Sequence, residues 1–262
     1  MRLQFLPVTK ELVVDTDEKR RTFLRDSAVL GIALASGSVA TLAQASQASS
    51  SPTSPKKEDE QEPEVTATED LMREHGVIRR ALLVYAEIVP KLRKNPADLD
   101  PSALKQTAQL FRTFAEDYHE RMLEEQHIFP LVRKQGAELA HYTDILIAQH
   151  NRGREVTDYI LSVTGSAKIG VSHAEPLAKV FEGLVLMYEN HAAREDTIIF
   201  PAWKKNFTNK QLDELSDQFE DIEHKMFGKD GFEDAEKKIS SIEGALGFAD
   251  LSQFTAPAPP KP

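Results

Sequence analysis

The stretch Tyr188-Glu-Asn-His-Ala-Ala-Arg-Glu-Asp-Thr-Ile-Ile-Phe-Pro201 sets His191 and Glu195 four residues apart on a segment with helical rhythm. Leu177, Phe181, Leu184, Tyr188, His191, Glu195, Ile198 and Ala202 follow alternating steps of four and three, so both polar residues fall on the stripe that faces a core. A buried imidazole and a buried carboxylate need partners, and a metal ion satisfies several such groups at once. For this pair alone a buried His–Glu hydrogen bond serves equally well, so the rest of the chain decides.

Composition narrows the chemistry. The chain has 262 residues, 40% hydrophobic and 28% charged, enough for one good-sized core, and a formal charge of -10 that argues against nucleic acid or an anionic membrane as partner. With no cysteine, disulfides, iron–sulfur clusters, thiolate zinc sites and cysteine catalysis drop out, and any metal must be held by His and carboxylate.

Towards the N-terminus, Lys19-Arg-Arg-Thr-Phe-Leu-Arg25 precedes an uncharged run rich in Ala, Leu, Val and Gly to about Ala45. It resembles a twin-arginine export signal: Arg20 and Arg21 are the pair, Phe23 and Leu24 follow, and Ala43-Gln-Ala45 fits a small-residue cleavage site. The resemblance implies an exported, periplasmic or extracytoplasmic protein, carried folded, with no stable membrane span after cleavage of residues 1–45. Residues 46–65 are Ser, Pro, Gln, Lys and Glu with hardly an apolar side chain, and read as a tether.

From Thr66 the rhythm becomes helical. Thr66-Ala-Thr-Glu69 has capping-box spacing, and Leu71, His75, Ile78, Leu82, Tyr85 and Val89 form the inward stripe of a first helix. A second helix is expected over about 102–134, a third over about 137–163, and a fourth from Ser172, where Ser172-His-Ala-Glu175 is again box-like, to about Phe207. Long helices on short loops predict an all-α, up-down-up-down four-helix bundle over 66–207. A charged helical extension follows over 208–250, interrupted at Gly228-Lys-Asp-Gly231, and then a Pro-rich tail over 251–262.

The second helix carries Asp117-Tyr-His-Glu-Arg-Met-Leu-Glu-Glu-Gln-His-Ile-Phe-Pro130. Laying its Ile-Phe-Pro on the Ile-Phe-Pro of the opening stretch places Glu120 over His191, Glu124 over Glu195 and Glu125 over Asp196, an internal repeat. Each repeat follows a helix with one inward His: His75 before the first, and His150, with Leu146, Gly153 and Thr157, before the second. Two helix pairs related by a pseudo-twofold axis would converge three ligands each, which is a dinuclear arrangement.

These residues resemble hemerythrin-like (HHE cation-binding) domains over roughly Asp70 to Phe207. Such domains place His, His-x-x-x-Glu, His and His-x-x-x-Glu or Asp on four antiparallel helices around a non-haem di-iron centre. The resemblance implies iron as cofactor, O2, peroxide or NO as small-molecule partners, and Glu124 and Glu195 as bridging carboxylates; the stretch 219–228 also looks like relatives that extend the bundle. Spacing alone does not separate iron from zinc or manganese.

The chain departs from that pattern in the second helix, where Glu120 stands four before Glu124 and His119 five before it. On a turn of about 3.6 residues, Glu120 and Glu124 differ by about 40° around the axis and His119 and Glu124 by about 140°. Glu120 is therefore the expected ligand and His119 the alternative, giving His75, Glu120, Glu124, His150, His191 and Glu195. The third helix has only His150, since four residues to either side stand Leu146 and Arg154. Three carboxylates would favour the ferric state and an oxidase or peroxidase over reversible O2 transport; a binding or sensing protein leads, a di-iron oxidoreductase is the alternative, and a metal-free helical interaction module the third. His127 is expected at the bundle mouth, His141 and His173 in solvent, and His224 at the surface or between helices.

Overall fold

The computed structural model describes residues 65–228 and 230–260. The export signal expected over 1–45 and all of the tether but Val65 lie outside the described residues.

The first helix, α1 (Ala67–Lys94), starts where the Thr66 hydroxyl accepts the Glu69 N–H at 3.3 Å. Glu69 and Asp70 in its first turn and Lys91, Arg93 and Lys94 in its last complement the helix dipole. The second rod begins at α2 (Pro101–Leu110), with Pro101 in the first turn and the Asp100 carboxylate taking the Ser102 N–H at 2.8 Å. It continues without a break as a π-helix, π1 (Phe111–Ile128), and returns to α geometry in α3 (Phe129–Val132). Gly136, at φ 135, turns the chain into α4 (Ala137–Thr164).

The fourth rod is α5 (Val171–Arg194), a short π segment, π2 (Glu195–Ile199), and α6 (Phe200–Lys204). It starts one residue before the box-like Ser172: Gly170 is the cap residue and no side chain caps the end. The extension is two helices, α7 (Asn209–Phe227), opened by a Thr208–Gln211 capping box, and α8 (Gly231–Leu246), capped by Asp230.

α1 packs along α5, and α4 lies against both the second rod and α5, completing the bundle; α8 packs on α1 and α2, and α7 on α1 and π1. No strand occurs among the described residues. A continuous apolar core runs from Ala67 to Phe248. Tyr85 of α1 stacks on Phe181 of α5 at 4.5 Å, and Trp203, fully buried on α6, stacks on Phe219 of α7 at 5.9 Å, tying the extension to the bundle. Each such side chain contributes about 1.5–3 kcal/mol on burial. No described helix is long and apolar enough to cross a membrane.

Candidate metal centre

The two π segments are placed by the repeat. Phe129 donates its N–H to the Glu124 carbonyl and Phe200 to the Glu195 carbonyl, five residues back in each case. Pro130 and Pro201 come next, without an N–H to give to the carbonyl four residues back. The Ile-Phe-Pro motif thus marks where each rod returns from a wide turn to an α turn, and Glu124 and Glu195 hold the same place in the two wide turns. The shift shows at Ile198, expected inward but half-buried, while Ile199 is fully buried.

Six side chains converge in the middle of the bundle: His75 from α1, His119 and Glu124 from π1, His150 from α4, His191 from α5 and Glu195 from π2, each at most 3% exposed. On one side, His75 Nε2 stands 3.5 Å from Glu195 Oε2, and His119 Nε2 3.4 Å from Glu124 Oε1. On the other, His150 Nε2 stands 3.3 Å from Glu124 Oε2, and His191 Nε2 2.9 Å from Glu195 Oε1. Each carboxylate therefore offers one oxygen to each half. Donor atoms of Glu124, His150, His191 and Glu195 lie within 4.8 Å of one another, as do those of His75, His119 and Glu124.

Every ring is held from behind through Nδ1. His75 donates to Asp196 at 2.7 Å and His150 to Glu125 at 2.9 Å; His119 donates to Glu74 at 2.5 Å and His191 to Gln149 at 2.9 Å. Since the partners are acceptor oxygens, the proton sits on Nδ1 and the Nε2 lone pair faces inward. Arg79 braces Asp196 and Arg154 braces Glu125, at 2.7 Å in the second case. Phe200 stacks on His75 at 5.3 Å and Phe129 on His150 at 5.5 Å. The pseudo-twofold axis thus relates whole supports as well as ligand-type residues, and breaks where Glu74 faces Gln149.

All four oxygens of Glu124 and Glu195 are buried without a hydrogen-bond partner; the imidazoles beside them are near enough to attract but not aligned to donate. Such groups fit a cation and little else. Without one, protons take its place: burial opposes a charged His119, yet Glu124 and Glu74 raise its pKa well above the usual value, and against the same burial Glu120, Glu124 and Glu125 push His150 up to about 10. Burial works to raise Glu124, but His119 and His150 hold it well below the carboxylate range. A metal ion entering here displaces those protons.

Glu120 stands at the edge of this cluster. Its carboxylate accepts the Tyr188 hydroxyl at 2.7 Å and Arg154 at 3.3 Å; it comes near Glu125 and His150, where Arg154 bridges the two carboxylates. The 40° and 140° separations expected of Glu120 and His119 from Glu124 hold for a 3.6-residue turn; π1 is wound more loosely, with hydrogen bonds five residues back, and across it His119 reaches Glu124 at 3.4 Å. Beside Glu120, Glu116 accepts the Thr157 hydroxyl at 2.5 Å, and burial before all else raises its pKa to about 7. Tyr188 reaches this group because residue 153 is glycine: a Cβ there would lie 2.0 Å from the Tyr188 oxygen. Of the other histidines, His127 is half-buried against Phe219, and His141, His173 and His224 are exposed.

Sequence reasoning passed over Glu74, Gln149, Arg79 and Arg154, and gave Glu125 and Asp196 no role. A signal existed: Glu74-His75-x-x-x-Arg79 and Gln149-His150-x-x-x-Arg154 repeat the same supports one residue before and four after each His.

The sequence profile described as Hemerythrin HHE cation binding domain matches residues 66–203. The chain belongs to the hemerythrin HHE family. Uncharacterized proteins of Mycobacterium tuberculosis and Mycobacterium bovis are each 42% identical to it over 225 residues, covering 85% of this chain and 87% of the relative. No solved structure matches it. Membership carries cation binding, and the buried His and Glu cluster is where this chain can hold a metal cofactor.

Proposed function

We propose that the chain is an exported, non-haem di-iron protein of the hemerythrin HHE family that binds or senses O2, peroxide or NO. The metal would be held by His75, His119, Glu124, His150, His191 and Glu195, each carboxylate offering one oxygen to each half, with Glu120 outside the set. The observation that carries this is the buried, unpartnered state of all four Glu124 and Glu195 oxygens among four inward Nε2 atoms. When bound, the metal pair supplies a redox-active place for a small oxidant; the chain's part is to hold the rings by Nδ1, keep their lone pairs free and exclude bulk water. Four neutral imidazoles and two carboxylates leave a ferrous pair less electron-rich than three carboxylates would, which favours binding or sensing over an oxidase.

Metal analysis of protein recovered from its native compartment tests the reading. About two iron ions per chain, with near-ultraviolet charge-transfer absorption in the oxidised protein, is the expected result; less than about 0.5 metal per chain, with melting unchanged by chelator, would overturn it. Export rests on Arg20 and Arg21, and is tested by fractionating cells that carry Arg20→Lys with Arg21→Lys, which are expected to retain the protein inside.

A further inference from the structure

An apolar groove of about 410 Å³ opens between the middle of α1, the end of α8 and the 3-10 turn Leu251–Phe254. Leu83, Val84, Phe248, Ala249, Leu251 and Phe254 wall it. Leu83 is 56% exposed, Leu251 80% and Phe254 46%, so large apolar side chains stand in water around one opening. The turn that carries two of them is pinned: Asp250 accepts the Ser252 N–H at 2.9 Å, and Gln253 Nε2 donates to the Gly247 carbonyl at 3.1 Å. Phe254 meets Phe248 edge to face at 6.5 Å, so part of the wall is aromatic.

The polar side of the groove holds one unpaired charge. Arg80 and Glu243 neutralise each other, Arg80 Nε donating at 2.9 Å, and Lys91 sits with its amine 4.2 Å over the Phe248 ring. Glu87, half-buried in the same wall, makes no hydrogen bond or ion pair among the described residues. The groove therefore suits an apolar segment that carries a cation. The chain has such a segment: beyond Phe254 it reads Thr255-Ala-Pro-Ala-Pro-Pro-Lys-Pro262. Every residue from Ala256 to Lys261 is a proline or precedes one, which favours the extended polyproline II form. Residues 255–260 are exposed, and the Thr255 N–H, bonded to the Ser252 carbonyl at 3.1 Å, is their last tie to the fold.

We infer that the groove docks the segment Pro257–Pro262 of a second copy, with Lys261 meeting Glu87, in a reciprocal exchange that makes the protein a dimer. Polyproline segments bind aromatic-lined grooves and lose little conformational freedom in doing so. Phe254 belongs to the wall, so a stiff run leaving it does not double back into the same groove. At about 3.1 Å per residue that run spans about 22 Å from Phe254 to Lys261, long enough to cross into a facing groove. In a two-fold pair each copy gives one tail and one groove, so the contact is made twice and closes on itself. This inference is independent of the metal centre.

Sedimentation velocity of the full-length chain over a range of concentrations tests it. The wild type should form dimers, while a chain stopped after Thr255 and the Leu83→Glu variant should both sediment as monomers; each change touches only exposed residues, so the fold is kept. Glu87→Lys should weaken dimerisation about tenfold, and Lys261→Glu added to the same chain should restore it. A wild type that stays monomeric up to about 100 µM would overturn the inference and leave the groove to some other partner. A dimer that outlasts the truncation would overturn it too, since the copies would then meet without their tails. So would a Glu87→Lys defect that Lys261→Glu does not mend.

Discussion

His119 Nε2 stands 3.4 Å from Glu124 Oε1 although the two are five positions apart in the chain. Across the pseudo-twofold axis, His191 and Glu195, four positions apart, meet at 2.9 Å. Alignment on Ile-Phe-Pro cannot bring His119 onto His191, because π1 takes up one residue more than the end of α5 does. The two halves are equivalent in space but not in sequence spacing.

Removal of His119 is therefore expected to cost metal, and neutralisation of Glu120 is not. His119→Ala should bind about half the wild-type iron or less, and Glu120→Gln should keep close to all of it. Elemental analysis of the two variants checks this; the reverse order would restore Glu120 as the ligand.

The supports at Nδ1 give a second expectation. Asp196 fixes the His75 ring and is braced by Arg79, so Asp196→Asn keeps an acceptor but removes the charge that makes the imidazole a stronger donor. Metal affinity should fall about 10- to 100-fold while the helical circular dichroism stays unchanged. Competition with a chelator of known affinity measures it, and a loss of helix together with metal would show Asp196 to be a packing residue.

Much of the fold was legible because the inward stripes of α1 and α4 are α-helical throughout. Leu71, His75, Ile78, Leu82, Tyr85 and Val89, and likewise Leu146, His150, Gly153 and Thr157, are all buried as steps of four and three require. The register shifts where the helix is π. No residue type announces a π turn, so a 3.6-residue rhythm puts Ile198 inward where Ile199 is the buried one, and does not foresee His119 beside Glu124. What the sequence does carry is a proline six residues after each of Glu124 and Glu195, a spacing whose meaning appears only once the N–H bonds of Phe129 and Phe200 are seen. Ser172 misled for another reason: box spacing is met there, but the chain enters the helix at Val171 and leaves Ser172 inside the first turn.

Gly153 and Tyr188 make a third pair to test. A methyl group at 153 would occupy the space of the Tyr188 hydroxyl, which gives its proton to the buried Glu120. Gly153→Ala should destabilise the metal-free protein by about 1–3 kcal/mol, through overpacking and a weakened hydrogen bond. Gly153→Ala in a Tyr188→Phe background should cost less, because the oxygen it strikes is gone. Thermal melts of the single and double variants report the difference; equal costs would mean that Tyr188 is not what Gly153 accommodates.

The cleft between the start of α1, α7 and the start of α8, where Asp70, Glu220, Glu223, Asp230 and Glu233 stand, predicts a pH dependence of its own. Burial, and then its acidic neighbours Glu74, Asp230 and Asp70, lift Glu223 to about 7 against the pull of the Phe232 N–H, from an ordinary value of 4.5. Asp70 rises to about 6 by burial, Glu74, Glu220 and Asp230, with Arg73 opposing. Both folded values lie above the unfolded ones, so between about pH 4 and 7 the folded chain binds more protons than the unfolded chain. The folded state is then favoured at the acid end, and these two groups withdraw stability as pH rises towards 7. The His and Glu centre has slopes of its own, so the measurement is a difference: the melting temperature of Glu223→Gln minus that of the wild type, both metal-free, from pH 5 to 8. Gln keeps an oxygen for the Phe232 N–H but cannot ionise, so the variant should gain on the wild type as pH rises, by on the order of 1 kcal/mol after solvent screening. A difference that stays flat, or that falls with pH, would show that Glu223 ionises in the fold as easily as in water and that the cleft does not crowd its carboxylates.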